Sequence, residues 1–332
     1  MRSPRVAHLA ETPLFKSLPP SLPVVRKVTE GRPLLKPGPF AQQPDVMALD
    51  FIDGCGHGCP FCPARMVGGG PAFNDINLIA AAERLEDELL ALPQRPQAVF
   101  VSPSTDPFPP LNDVQQETGQ IVDVLARNGI DTWLMTRGFI RPAVLDVLRR
   151  HASRVKVTMA LTTLDRPLQR MLEPLTAPPS LRLKTIRSLR DAGIACNAAL
   201  EPLIPNVTDT RENLLPVLEA LAQAGVRSVT VGYLVLHHRI EEQLRNVLRP
   251  LGLDALMMEE YAGGPTLRSG RGMSGRYLPR SRRQHGYAAV MAMAAGLGLR
   301  VGVNALTNPD FTATAQAASP RKAPTMAALQ HN

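Results

Sequence analysis

The sequence predicts an α/β protein with a partial TIM barrel of about six βα units, a parallel curved sheet with outer helices. An N-terminal arm and a small C-terminal extension flank this barrel. Two observations support the prediction. From residue 45 onward, short apolar runs alternate with amphipathic stretches. The apolar runs are almost uninterrupted, as expected for strands buried on both faces, and right-handed crossovers curl such a sheet into part of a barrel.

Six apolar runs are predicted as strands. They are Val46 to Asp53, Ala98 to Ser102, Thr132 to Thr136, Val155 to Leu161, Ala195 to Glu201 and Ser228 to Leu236. In a barrel, the residues that follow the C-terminal ends of parallel strands meet at one rim. We therefore expect the functional residues directly after these runs.

Amphipathic segments between the strands are predicted as helices. The clearest is Asp75 to Leu92, where apolar residues recur every three or four positions. The others are Val114 to Asn128, a short helix starting at Pro142, Leu181 to Ala192, Thr210 to Ala224, Arg239 to Leu251 and Tyr287 to Leu297. Gly129, Gly193 and Gly225 follow three of them, and Gly129 suits a left-handed C-terminal turn.

The chain is expected to divide into four segments. Residues 1–45 contain scattered prolines and are predicted to form an extended arm, and residues 46–251 form the barrel. Residues 252–311 form a C-terminal extension with a basic segment and a short apolar run at Arg300 to Asn304. Residues 312–332 are small and polar and are predicted to be a flexible tail.

Composition narrows the class of protein. Hydrophobic residues make up 44% of the 332 positions, which is typical of a globular chain, and 37 Lys and Arg exceed 29 Asp and Glu. The longest apolar run, Tyr287 to Leu299, is shorter than the roughly 18 residues that cross a bilayer. The first residues contain no apolar signal segment, so a cytoplasmic location is expected.

Three of the four cysteines form one cluster. Cys55, Cys59 and Cys62 follow the first predicted strand with C-x3-C-x2-C spacing. Three thiolates can hold an iron-sulfur cube and leave its fourth iron open to a small molecule. The alternative is a structural zinc site with His57 as the fourth ligand, although four ligands within eight residues are cramped. Cys196 falls inside the fifth strand and is expected to be a small buried residue.

The cysteine motif, with the aromatic Phe61 just before the third cysteine, resembles that of the radical S-adenosylmethionine (SAM) superfamily over about residues 45 to 250. Further motifs are similar to the spore photoproduct lyase-like branch. These are Ser102 to Pro107, Thr136-Arg137, Thr162 to Asp165, Glu173-Pro174, and Glu201 to Pro205 with Asp209.

This resemblance implies an enzyme with two cofactors. Cys55, Cys59 and Cys62 would hold a [4Fe-4S] cluster that reductively cleaves SAM. The resulting 5′-deoxyadenosyl radical would abstract hydrogen from a substrate that the sequence does not identify, in a lyase-like or transferase reaction. A reducing electron donor such as flavodoxin or ferredoxin would supply the electron.

Seven residues are predicted to contact SAM. Ser104, Thr105 and Asp106 are expected at its amino group and Arg137 at its carboxylate. Phe61 is expected beside the adenine, and Thr162 and Glu201 near the ribose. Alternatively, Thr105 and Asp106 cap a turn, and Thr162 and Glu201 make structural hydrogen bonds.

His237 and His238 follow the sixth strand and are minor candidates, because adjacent histidines at a helix start are expected to face solvent.

Two positions depart from the lyase pattern. Ser102 stands where spore photoproduct lyases carry a hydrogen-donating cysteine, and a serine O–H bond is too strong to replace a thiol in quenching a carbon radical. Arg137 stands where those lyases tend to have Lys, which keeps the charge but changes the donor geometry. DNA photoproduct repair is therefore disfavoured.

The segment from Arg268 to His285 contains six arginines interleaved with glycine, serine and Tyr277. This composition suits contacts with nucleic-acid phosphates and a stacked base. It equally suits a loop that folds against acidic helices. Together with the zinc interpretation of the cysteines, it supports a competing hypothesis, a zinc-stabilised nucleic-acid-binding protein without catalysis.

Overall fold

A computed structural model describes residues 24–28, 33–39, 43–62, 75–268 and 273–311. The strands are β1 Val24–Val28, β2 Leu35–Pro37, β3 Val46–Leu49, β4 Ile52–Asp53, β5 Asp75–Ile79, β6 Ala98–Val101, β7 Asp131–Thr136, β8 Val155–Ala160, β9 Ala195–Leu203, β10 Ser228–Tyr233, β11 Thr266–Arg268, β12 Ser274–Arg276 and β13 Arg300–Val303. The α-helices are α1 Ala82–Ala91, α2 Asn112–Arg127, α3 Pro142–Arg150, α4 Arg166–Leu172, α5 Pro179–Asp191, α6 Arg211–Gln223, α7 His238–Leu248, α8 Asp254–Glu260 and α9 Arg280–Ala295.

The main sheet has eight strands in the order β2-β3-β6-β7-β8-β9-β10-β13. All neighbours are parallel except β2 and β3, which run antiparallel. The six predicted strands occupy its centre in sequence order, so the predicted partial barrel is confirmed. Within the described residues the sheet does not close, and β2 and β13 extend its two edges.

Apolar strand residues form the core beneath the outer helices. Val99 and Val101 of β6 pack in one cluster with α2 and α3, and Val229 and Val231 of β10 pack in a second cluster with α6 and α9. Gly129, Gly193 and Gly225 end α2, α5 and α6 with φ of 77°, 74° and 89°, the left-handed region that glycine adopts without strain.

The predicted helix from Asp75 to Leu92 is wrong in its first part. Asp75–Ile79 forms β5, which pairs parallel with β1 and antiparallel with β4, and the helix begins at Ala82. Ile76, Leu78 and Ile79 are all buried, because β5 is the central strand of this small sheet. The first predicted strand is split into two strands because its second part pairs with β5. Strand β3 ends at Leu49, and Ile52–Asp53 joins β5 instead of the main sheet.

The C-terminal extension adds to the main sheet through β13, which pairs parallel with β10. Helix α9 starts at Arg280, seven residues before the predicted start, and α4 and α8 are additional helices. The predicted tail, 312–332, and most of the predicted arm lie outside the described residues. In the described part of the chain, the helices are too short or too polar to span a bilayer.

Candidate active site

A cavity of about 680 Å³ opens at the C-terminal ends of the main-sheet strands. The cysteine loop after β4 forms one part of its wall, and the C-terminal part of β9 and the segments after β6, β7, β10 and β13 form much of the rest. The strand-end residues that line it include Ser102, Ser104, Thr105, Asp106, Arg137, Glu201, Tyr233 and His237. The topology of parallel strands thus brings the predicted residues together at one rim.

All three cysteines of the motif line this cavity. Cys59 is buried and Cys55 and Cys62 are half-buried, and the Cys62 N–H donates to the Cys59 carbonyl at 3.2 Å. Burial, together with the negative charges of Asp106 and Cys62, raises the pKa of Cys55 to about 12. Because metals bind the thiolate, loading such a site releases protons.

The donor spacing that a single metal ion requires differs from the spacing that an iron-sulfur cluster requires. Among the described residues, no three His, Cys, Asp or Glu side chains are gathered closely enough to hold one metal ion. Two thiolates on one tetrahedral zinc lie about 3.8 Å apart. Thiolates on three separate irons of a cube stand farther apart, and the cavity beside them has room for the cluster.

His57 fixes the cysteine loop to the barrel. Its Nε2 lies 3.0 Å from Asp106 Oδ2, and its Nδ1 lies 3.3 Å from the Leu175 carbonyl oxygen. The Leu175 N–H donates back to the His57 carbonyl at 3.2 Å. Both ring nitrogens therefore face oxygen atoms of the protein, which is not the arrangement of a zinc ligand beside the three cysteines.

Asp106 is surrounded by donors. Oδ1 accepts from the Phe108 N–H at 2.8 Å and the Thr136 hydroxyl at 2.7 Å, and Oδ2 accepts from the Arg137 N–H at 2.7 Å. Burial raises the pKa of this carboxyl, but the charge of His57 and these hydrogen bonds outweigh it and lower the pKa to about 2. The carboxylate therefore accepts three hydrogen bonds, and His57 Nε2 lies 3.0 Å from Oδ2 as a fourth close contact.

Arg137 is held by a buried ion-pair network. Its Nε donates to Glu173 Oε1 at 3.1 Å, and an NH2 group donates to the Glu201 carbonyl. Glu173 Oε2 pairs with Arg182, whose side chain is fully buried and also donates to the Ala160 and Ala177 carbonyls. Burial raises the pKa of Glu173, but the two guanidinium groups outweigh it, so the net pKa is lowered.

Phe61 and two hydroxyls complete this side of the cavity. The Arg137 guanidinium lies 5.5 Å from the centre of the Phe61 ring, within cation–π range. Ser102, which has a φ of 52° and is buried, and Thr105 each present a hydroxyl without a hydrogen-bond partner in the described part of the chain. Ser104 is exposed at the rim, where its hydroxyl donates to Asp50 at 3.0 Å.

Glu201 and Thr162, the two residues predicted near the ribose, lie in different places relative to the cavity. Glu201 lines the cavity, and its Oε2 accepts from Asn304 Nδ2 at 2.6 Å. Thr162 is buried outside the cavity lining, 3.5 Å from Glu173 Oε1.

Contrary to the expectation from the sequence, His237 does not face solvent. It is 6% exposed and lines the cavity, whereas its neighbour His238 is exposed. The sequence also gave no signal for the inward approach of Asn304 or for the burial of Arg182, because both depend on packing between distant segments.

Three of the six arginines of the basic segment pair with this protein's own acidic residues. Arg276 pairs with Glu241 of α7 at 2.8 Å, and Arg282 pairs with Glu260 of α8 and with Asp209. Arg283 is buried against Asp310, and Arg280 lies over the Phe311 ring. Arg271 lies outside the described residues. Two of these acidic partners lie in α-helices, Glu241 in α7 and Glu260 in α8, and Asp209 and Asp310 lie outside the α-helices.

Comparison with known proteins defines the class. Residues 49–215, half of the chain, match the family model of the radical SAM superfamily. The chain therefore belongs to this superfamily, and its cofactors are a [4Fe-4S] cluster and SAM.

The matches to sequence relatives cover only part of each relative's length. An uncharacterized protein of Mycobacterium tuberculosis (strain ATCC 25618 / H37Rv) is 30% identical over 204 residues, which are 57% of this chain and 60% of that protein. This chain thus matches about 60% of the length of its mycobacterial relatives. The radical SAM Nalpha-GlyT isomerase of Pseudomonas phage M6 is 24% identical over 182 residues, 54% of this chain and 37% of the phage protein.

Solved structures confirm the fold. Spore photoproduct lyase complexed with dinucleoside spore photoproduct superposes with a TM-score of 0.64 at 14% identity, covering 84% of this chain and 82% of the lyase. A mutant of that lyase with bound AdoMet and the dinucleoside spore photoproduct gives 0.63 at 13% identity, covering 83% and 81%. At these identities the likeness concerns the fold alone.

Proposed function

We propose that Cys55, Cys59 and Cys62 hold the [4Fe-4S] cluster and that the adjoining cavity holds SAM. The observation that carries the proposal is that the three thiols line the same cavity as the polar residues at the strand ends. When bound, the cluster supplies the electron that cleaves SAM to a 5′-deoxyadenosyl radical, which abstracts hydrogen from the substrate. The protein orients the reactants and excludes water.

Arg137 is the proposed partner of the SAM carboxylate. Two of its five N–H groups donate to Glu173 and to the Glu201 carbonyl, and the side chain lines the cavity. The remaining N–H groups form the planar fork that suits a carboxylate. Glu173 and Arg182 act through Arg137 and are positioning residues.

The amino end of SAM is proposed to bind at Ser102 and Thr105, whose hydroxyls have no partner among the described residues. Asp106 already accepts three hydrogen bonds and lies 3.0 Å from His57 Nε2, so its proposed role is to fix His57 and the backbone of Arg137. Ser104 is proposed to form part of the cavity rim through its hydrogen bond to Asp50. Phe61 is proposed beside the adenine and Glu201 beside the ribose, while Thr162 supports Glu173 from outside the cavity.

The zinc-stabilised nucleic-acid-binding alternative has less support from the contacts. His57 faces Asp106 and Leu175, and Arg282 and Arg283 form internal ion pairs. Nucleic-acid binding through Arg268 to His285, a flavodoxin or ferredoxin donor, a cytoplasmic location and the four-segment division of the chain all stay predictions.

Anaerobic reconstitution with iron and sulfide tests the proposal. We expect a brown protein that releases 5′-deoxyadenosine after addition of dithionite and SAM. Cys59→Ala should lose both the cluster absorbance and this product. Cys196→Ala is the matched control, since Cys196 lies in β9 away from the cavity lining, and it should retain both.

A colourless protein that holds one zinc ion would contradict the proposal. Equal iron content and equal 5′-deoxyadenosine release from Cys59→Ala and the unmodified protein would also contradict it.

A further inference from the structure

His237 lies in a part of the cavity that the proposed cofactor contacts do not use. It follows β10, four strands along the main sheet from β6, which carries Ser102 and Asp106 at its end. Neighbouring strands are about 4.8 Å apart, so along the sheet His237 is remote from Ser102 and Asp106 and closer to Glu201 of β9. The side chain is 6% exposed and lines the cavity.

One hydrogen bond determines which ring nitrogen of His237 carries the proton. Nδ1 lies 2.8 Å from the carbonyl oxygen of Ser274 in β12. A carbonyl oxygen only accepts, so Nδ1 is the donor. In the neutral ring Nε2 is then a bare acceptor. A Cβ on Gly275 would come within 3.0 Å of Nδ1, so the strand backbone holds the ring closely in this position.

The other polar groups at this end of the cavity are already paired. The Tyr233 hydroxyl donates to Asp209, and both amide atoms of Asn304 are used by Glu201 and the Leu306 N–H. Thr307 Oγ1 accepts from Asn308 at 3.2 Å. In contrast, no described residue hydrogen-bonds to His237 Nε2.

The remaining lining here is apolar, from Leu234, Val235, Met273 and Leu306.

We propose that His237 Nε2 is the polar anchor of the substrate subsite. The substrate end that enters is largely apolar and carries one hydroxyl or N–H group, which donates to Nε2. This assignment of a substrate rests on the proposed radical SAM function, but the hydrogen-bonding property of the subsite does not. A binding measurement without SAM cleavage therefore tests the subsite independently of the radical SAM function.

Phenol and anisole are suitable probes, because both are apolar rings and only phenol has a donor. The full-length protein is labelled with [15N]histidine, and its Nδ1 and Nε2 resonances are followed at a pH where the rings are neutral. The His237 signals are assigned by their loss in His237→Asn. Asn can preserve the donor to the Ser274 carbonyl but cannot replace Nε2. His238→Gln is the matched control at the exposed neighbour.

We expect a protonated Nδ1 and a bare Nε2 at His237, and a shift of Nε2 toward the protonated range with phenol but not with anisole. Phenol should bind about three- to tenfold more weakly to His237→Asn and unchanged to His238→Gln, as expected for one net hydrogen bond. A proton on Nε2 in the free protein would overturn the proposal. Equal Nε2 shifts with both probes would overturn it too. If His237→Asn does not fold, the two probe titrations on the unmodified protein decide, with the signals assigned by subtracting those of the other histidine variants.

Discussion

Loss of the Glu173 carboxylate should destabilise the fold strongly. Its carboxylate is 1% exposed and neutralises two guanidinium groups, those of Arg137 and the fully buried Arg182. In Glu173→Gln, a neutral amide replaces the carboxylate with almost no change in volume. Both arginines stay charged, because guanidinium does not lose its proton in proteins. Arg182 is then a buried charge without a counter-ion.

Breaking a buried ion pair by neutralising one partner costs about 3–5 kcal/mol of unfolding free energy. Arg182 keeps its bonds to the Ala160 and Ala177 carbonyls, and Arg137 is partly exposed, so the lower half of this range is expected. The pKa of Glu173 is lowered in the fold. Its stabilisation is therefore present above the ordinary carboxyl pKa of about 4.3 and is lost as the pH falls through the lowered value.

Urea unfolding followed by far-UV circular dichroism measures this cost at neutral pH. Glu173→Gln should lower the midpoint without changing the slope. Glu86→Gln is the control, because Glu86 lies 3.9 Å from Arg127 at the surface and both side chains are about half exposed. Such surface pairs contribute at most about 1 kcal/mol. Equal losses for the two variants would refute the reasoning about the buried network.

Two further predictions concern the rim. The carboxyl of Asp106, with its pKa lowered to about 2, should contribute about 2 kcal/mol that is present above pH 4 and lost toward pH 2, because His57 and the hydrogen bonds favour the charged form. In Asp106→Asn, the free energy of unfolding should lack this dependence on pH. If its slope against pH between about 4 and 2 is the same as in the unmodified protein, Asp106 is not the source of the dependence. Gly138→Ala places a Cβ 1.8 Å from the Phe108 carbonyl oxygen and should cost about 2 kcal/mol or more, whereas Gly296→Ala meets nothing within 4 Å and should be neutral or slightly stabilising in thermal unfolding. Equal melting temperatures for these two glycine variants would show that the loop relaxes freely.

Sequence patterns predicted the barrel strands because their signal is local. Each of β6 to β10 contains a short apolar run that ends near polar, glycine or proline residues, and this is sufficient to place the rim. The strand β5 was missed because its partners are far away in sequence: β1 lies about fifty residues earlier. The leucine spacing that continues into α1 also fits a helix over both segments, and only the pairing distinguishes them.

In the candidate site, too, the features with a local sequence signal were predicted and those that depend on distant contacts were not. The cysteine motif is read directly from its spacing. The network of Arg137, Glu173 and Arg182 depends on how the segment after α4 and the helix α5 approach the rim, which no local pattern records. The burial of His237 depends on β12, a strand that begins 37 positions later.

The contact between the His57 ring and the Leu175 carbonyl joins positions 118 residues apart. A nascent chain that has emerged only as far as its cysteines lacks this attachment. The cysteine loop gains this attachment only when the segment around Leu175 packs against it. In small zinc domains, by contrast, the ligands lie close together in the sequence and the metal itself drives folding.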